Sequence, residues 1–126
     1  MIRLAESRKE ISVVNDQIGA PTYARDLAFD ILALLEKIFI ANKKFSSGIY
    51  HYCNEGQISW KGFAEEIFKI KKINCKVNPI LTEDYPTEAK RPLWSVLNTN
   101  KINTQLEMYP SDWQDALKEC LKEIKD

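Results

Sequence analysis

Glycine is scarce in this chain. Its four glycines, Gly19, Gly48, Gly56 and Gly62, stand singly among 126 residues. No GxGxxG or GxxGxxG cluster exists, so the backbone turn that cradles a dinucleotide pyrophosphate is excluded, and with it a P-loop. HExxH and GxSxG are also missing, and no tyrosine has a lysine four residues later, so a Tyr-x-x-x-Lys proton-transfer pair is absent. The single histidine, His51, leaves little for a zinc site, and a general-base role for it would need a partner carboxylate beside it. The three cysteines, Cys53, Cys75 and Cys120, are odd in number and contain no CxxC pair. They read as reduced thiols of a cytoplasmic protein. Charge of neither sign prevails, with 18 basic and 18 acidic residues, which argues against a nucleic-acid partner. No apolar run is long enough to span a membrane, and MIRLAESRKE mixes charge with apolar residues unlike a signal peptide.

What remains is an alternation of short strand and helix signals in a chain sized for one domain. Met1 to Lys9 reads as the last turns of a helix without an N-cap before it. Ile11 to Val14 is β-branched and predicts a strand. After a polar loop, Thr22 is placed to cap a helix over about Tyr23 to Ala41. Its apolar stripe is Ala24, Leu27, Ala28, Ile31, Leu34, Leu35 and Ile38, and it predicts a buried face. Asn42 to Ser47 is a polar loop, and Gly48 to Cys53 alternates as a strand would. Ser59 caps a second helix with Trp60, Phe63, Ala64, Ile67 and Phe68 on one side. Lys76 to Leu81 is a third strand, and Pro79 suits it to an edge. An irregular stretch from Thr82 to Leu93 follows, then an extended Ser95 to Leu97 and a short helical turn from Thr99. Ser111 with Gln114 forms a capping box for a last helix striped with Trp113, Ala116, Leu117, Cys120, Leu121 and Ile124. The expected class is α/β, with few short strands and three main helices. So small a sheet suits a lobe that packs on something else.

Two loops carry chemistry. Asp16-Gln17-Ile18-Gly19-Ala20-Pro21-Thr22 precedes a helix N-terminus, where free backbone N–H groups favour anions. It reads either as a ligand-facing loop or as a capped turn, with Asp16 bonded to its own backbone. Tyr85-Pro86-Thr87-Glu88-Ala89-Lys90-Arg91-Pro92 sets two cations in a proline-stiffened loop. Arg91 offers a planar fork for phosphate oxygens, or the pair is solvated and bridges Glu88. Trp60 reads first as core and second as a stacking surface. Trp94 and Tyr23 flank the loops as pocket walls or as packing.

Taken in order, these segments resemble one family. Asp16-Gln17-Ile18-Gly19-Ala20-Pro21-Thr22-Tyr23 resembles the DQxGxPT stretch of dTDP-4-dehydrorhamnose reductases. Gly48-Ile49-Tyr50-His51 with Ser59-Trp60-x-x-Phe63-Ala64 resembles their next strand and helix. Ile80-x-Thr82-x-x-Tyr85-Pro86-Thr87-x-Ala89-Lys90-Arg91-Pro92-x-x-Ser95-x-Leu97 resembles their late loop, and Trp113-x-x-Ala116-Leu117 their close. Asn15 and Asn98 stand where aspartates are common, and Trp94 is bulkier than the pattern.

The resemblance implies an extended short-chain dehydrogenase, of which residues 1–126 match only the C-terminal, substrate-binding lobe. An N-terminal Rossmann-type domain would bind NADPH or NADH and carry the catalytic Tyr-x-x-x-Lys pair. The family reduces dTDP-4-dehydro-6-deoxy-L-mannose to dTDP-L-rhamnose, a bacterial cell-surface sugar donor. The implied contacts to the dTDP-sugar nucleotide are Gln17, Gly19, Pro21, Thr22, Arg91 and Ser95, with Arg91 on the diphosphate. No catalytic, cofactor or metal ligand is implied here. The implied partners are the Rossmann domain and a second copy in a homodimer. The isolated chain is expected to expose a large apolar patch or to pair with itself. Two other readings stay open: a non-catalytic sugar-nucleotide-binding or regulatory module, and a nucleotide-sugar epimerase or dehydratase of the same superfamily.

Overall fold

The computed structural model describes residues 1–42, 44 and 46–124. A one-turn helix α1 (Ile2–Ala5) leads into β1 (Glu10–Val14), whose Ile-Ser-Val-Val run favours extended backbone. Strand β1 buries Ile11 and Val14 and pairs in parallel with β4 (Lys76–Ile80), Ile11 facing Val77 and Val13 facing Pro79. Pro79 has no N–H to give, and a two-stranded sheet lets it face outward, as an edge position requires. A second sheet pairs β2 (Ile18–Gly19) with β3 (Ile58–Ser59), antiparallel.

Helix α3 (Trp60–Lys71) lies against both β1 and β4 and meets α5 (Trp113–Glu123). Ser59 caps α3 by accepting from Gly62 N at 3.0 Å, as its position predicts. Ala64, Ile67 and Phe68 of α3 and Trp113, Leu117 and Leu121 of α5 bury a core with Ile11 and Cys75. A smaller cluster gathers Ile102 and Leu106 of α4 (Asn100–Leu106) with Met108, against Leu34, Tyr50 and Tyr52. Among the described residues no helix is long and apolar enough to cross a membrane. All three cysteines are free.

Four local expectations need correction. Helix α2 runs Ala24–Phe39 and buries none of its residues. Leu27, Leu34 and Ile38 are half-covered, but Ala24, Ala28, Ile31 and Leu35 face outward, because only one side of the helix meets packed chain. Thr22 does not cap α2; its hydroxyl turns back to Ala20 O, and Tyr23 is the N-cap. Gly48–Cys53 is not a strand, since it forms no backbone ladder with any described segment. Side chains fix it instead: Tyr50 OH donates to Ser46 O, Tyr52 OH to Asp30, and Lys101 Nζ to Ile49 O. The Asn42 to Ser47 loop includes positions 43 and 45, which lie outside the described residues. The last helix takes Asp112 rather than Ser111 as its cap, through Gln114 N at 2.7 Å, because Ser111 is engaged elsewhere.

That engagement is with Asn54, a buried polar side chain that ties three segments together. Asn54 Oδ1 accepts from Tyr23 N at 2.8 Å, holding the start of α2. Its Nδ2 reaches Asp26 Oδ2 at 3.0 Å, Ser111 O at 3.1 Å and Ser111 Oγ at 3.0 Å, while Ser111 Oγ donates to Asp26 at 2.8 Å. Just beyond, Gly56 adopts φ +90°, and a Cβ there would meet Trp113 Cδ1 at 2.7 Å. Only glycine lets the chain pass under that indole. Asn54→Ala should lower unfolding free energy by about 1–3 kcal/mol, because Tyr23 N–H and the Asp26–Ser111 pair lose a buried partner. Urea unfolding checks this; stability within about 0.5 kcal/mol of wild type, the scale of ordinary surface changes, would contradict it.

Candidate functional site

The site begins where β1 and β4 part. Asn15 N still donates to Ile80 O at 3.0 Å, and then the two chains diverge. Asp16 closes the fork: its carboxylate accepts from Thr82 Oγ at 2.7 Å and from Thr82 N at 3.0 and 3.1 Å. The Thr82 hydroxyl and amide hold the Asp16 carboxyl below its ordinary value of 3.8, against an opposing push from desolvation. Gln17 Nε2 donates to Thr82 Oγ at 3.1 Å, which leaves its carbonyl oxygen for another partner. Asp16 is therefore a clasp on a residue 66 positions away, more than a turn bonded to itself.

Ile18 joins the two predicted loops. It donates to Leu93 O at 2.8 Å and accepts from Ser95 N at 2.9 Å, forming a bridge beside Trp94. Ser95 Oγ donates to Ile18 O at 3.2 Å, so its oxygen keeps an open lone pair. A Cβ on Gly19 would sit 3.0 Å from that hydroxyl oxygen, so the close approach favours glycine. On the other side β2 pairs with β3, which brings the start of α3 alongside.

Two adjoining clefts result. The larger, about 580 Å³, is lined by Arg8, the Ile11–Val14 strand, Gln17, Trp60, Tyr85, Thr87 and Arg91, with Met1 and Leu4 at one end. The smaller, about 120 Å³, is lined by Gly19, Ala20, Pro21, Ile58, Ser59, Trp60, Phe63 and Ser95. Gln17 and Arg91 thus share one cleft, and Gly19, Pro21 and Ser95 share the other. Thr22 is set apart, in a third hollow of about 80 Å³ against Trp113 and Cys120, with Tyr23. Arg91 has no ion-pair partner among the described residues, so the bridge to Glu88 is not formed.

Sequence reasoning missed several of these groups. Trp60 is not core: it is 52% exposed and lines both clefts. The signal was available, since Trp60 is the first residue of α3 and precedes the turns that pack. Arg8 and Thr82 also went unassigned, because their roles depend on contacts distant in sequence.

A profile described as "RmlD substrate binding domain" matches residues 1–126. The chain belongs to the RmlD substrate-binding-domain family. It is 45% identical over 124 residues to a protein named dTDP-4-dehydrorhamnose reductase from Aggregatibacter actinomycetemcomitans, covering 94% of this chain and 42% of that one. It is 37% identical over 123 residues to the spore coat polysaccharide biosynthesis protein SpsK of Bacillus subtilis (strain 168), covering 98% of this chain and 40% of the relative. Among solved structures, dTDP-4-dehydrorhamnose reductase from Bacillus anthracis str. Ames in complex with NADP superposes with TM-score 0.85 at 35% identity. That match covers 98% of this chain and 41% of that one. The chain therefore spans about two fifths of the length of the relatives it matches.

Within this RmlD substrate-binding domain, the Asp16–Thr82 clasp gives a pH test. A carboxyl depressed by folding stabilises at pH above its unfolded value, and that contribution fades as pH falls through the lower folded value. Wild type should lose stability on acidification from pH 5 toward and below pH 3.8 more steeply than Asp16→Asn, which should be the weaker protein at pH 7. Urea unfolding across that range measures both slopes, and parallel slopes would rule out the clasp.

Proposed function

We propose that this chain is the substrate-binding part of a dTDP-4-dehydrorhamnose reductase, and that its clefts hold the dTDP-sugar nucleotide. The observation that carries this reading is the convergence of three segments, Gln17 to Pro21, Ile58 to Trp60 and Tyr85 to Ser95, on adjoining clefts. The family and the names of its relatives supply the substrate class. In this reading the whole enzyme reduces the 4-keto group of dTDP-4-dehydro-6-deoxy-L-mannose to give dTDP-L-rhamnose. The cofactor is NADPH or NADH, and the NADP in the Bacillus anthracis relative favours NADPH. A Rossmann-type domain, N-terminal to this part, would bring the cofactor and the Tyr-x-x-x-Lys pair, neither of which has a counterpart in these 126 residues.

The residues here bind and orient. Arg91 meets the diphosphate with a planar, permanently charged fork. Gln17, already tethered through its amide nitrogen, offers its oxygen to a sugar hydroxyl. Ser95 and the backbone at Gly19 to Pro21 shape the smaller cleft, where Ser95 Oγ accepts. Thr22 is given a shaping role only, since its hydroxyl is turned to Ala20 and it lines a separate hollow. A cytoplasmic location accords with three free thiols. Pairing into a homodimer accords with the apolar residues left open on α2, among them Phe29, Leu32 and Phe39.

Two experiments test the reading. Titration with dTDP-L-rhamnose should show Arg91→Ala binding about 10- to 150-fold more weakly than wild type, the scale of hydrogen bonds to a charged group. Equal affinities would remove Arg91 from the site. Separately, the purified 126-residue chain, mixed with NADPH and the keto sugar nucleotide, should leave absorbance at 340 nm (the nicotinamide band) unchanged. Turnover would show that the catalytic groups lie within this chain after all.

A further inference from the structure

The half-exposed indole of Trp60 stands where the two clefts meet. Other apolar residues of α3, Ala64, Ile67 and Phe68, are buried, so the exposure is particular to this position. The ring is nevertheless braced. Phe63 meets it edge-on, with centroids 6.4 Å apart and planes at 76°. Phe63 in turn packs on buried Trp113 at 5.9 Å, so a row of aromatics runs from the core to the clefts. A large flat surface is thus held rigid and left open.

Around it the larger cleft is cationic as well as apolar. Arg8 and Arg91 both line it, and neither has an ion-pair partner among the described residues. An apolar protein surface laid on this cleft would desolvate two guanidinium groups without supplying counter-charge, which is costly. A ligand that is flat at one end and anionic at the other satisfies both features. The volume of about 580 Å³ also suits a small molecule of nucleotide size. Resting on the nucleotide-sugar reading above, we infer that Trp60 is the stacking platform for the nucleobase, with the diphosphate spanning Arg8 and Arg91. Every base has a π face, and an immobilised indole gains that stacking without a large loss of side-chain freedom.

Calorimetric titration of the 126-residue chain with dTDP and with inorganic pyrophosphate separates the base from the phosphates. Trp60→Leu should weaken dTDP binding about 5- to 150-fold, the range of one base–aromatic stack, while moving pyrophosphate affinity by less than about twofold. Trp60→Phe keeps a flat ring and should retain most of the dTDP affinity. Thermal unfolding of each variant confirms that the fold survives, as a half-exposed position allows. If Trp60→Leu leaves dTDP affinity unchanged, or weakens both probes equally, the platform role is overturned. The nucleotide-sugar reading then stands, because wild type still binds dTDP. If wild type fails to bind dTDP, both are overturned.

Discussion

The parallel pairing of β1 with β4 sets the distances on which the rest of the candidate site depends. Five residue pairs hold the two strands in register, and Asn15 extends the ladder by one more bond before the chains separate. A parallel pair that simply ended there would leave two polar loops free to drift. Asp16 prevents this by taking both the amide and the hydroxyl of Thr82. Ile18 then gathers Leu93 and Ser95 by backbone bonds, and β3 attaches from the opposite side. Segments separated by dozens of residues thereby become walls of the same space. Their side chains gain fixed positions because the backbone bonds have already met the entropy cost of ordering the loops.

A second anchor works by polarity rather than by strand pairing. Asn54 is buried, yet each of its polar atoms is met, so it adds direction without leaving an unsatisfied group. It fixes where α2 begins and how the 111–113 segment enters α5. Trp113 then closes over Gly56 and supports Phe63. Through Phe63 this polar anchor is mechanically continuous with the indole between the clefts.

Much of this was legible in the sequence, and the misses share a cause. Ile11 to Val14, the Ser59 cap, the edge role of Pro79 and the α5 stripe from Trp113 to Leu121 follow from local patterns, because their physics is local, while Ile124, read into the same stripe, falls past the helix end and is exposed. The three-segment resemblance located the loops that the structure brings together. Helix α2 went wrong because an apolar stripe states only that a cover is wanted, and the described chain supplies one along a single side. Gly48 to Cys53 went wrong because alternation shows strand tendency but not the presence of a neighbour with which to bond. Ser111 lost its cap to Asp112, better placed in space, and the Thr22 hydroxyl turned back to Ala20 O, leaving α2 without a side-chain cap. Trp60 was misassigned because a helix's first turn can carry an apolar residue beyond the packed face.

The separation between Asp16 and Thr82 has a consequence for how the protein is made. During synthesis the DQIGAPT loop leaves the ribosome 66 residues ahead of its partner threonine. At about 5–20 residues per second, the loop waits some seconds with neither its ladder nor its clasp. Closing so long a loop is an entropic hurdle that local helix formation does not share, so α2 and α3 can form before the strands meet. The cleft accordingly waits until the chain has grown through Ser95, well after α2 and α3 have emerged. Ligand affinity during synthesis would therefore report the meeting of β1 with β4, where helix content would not.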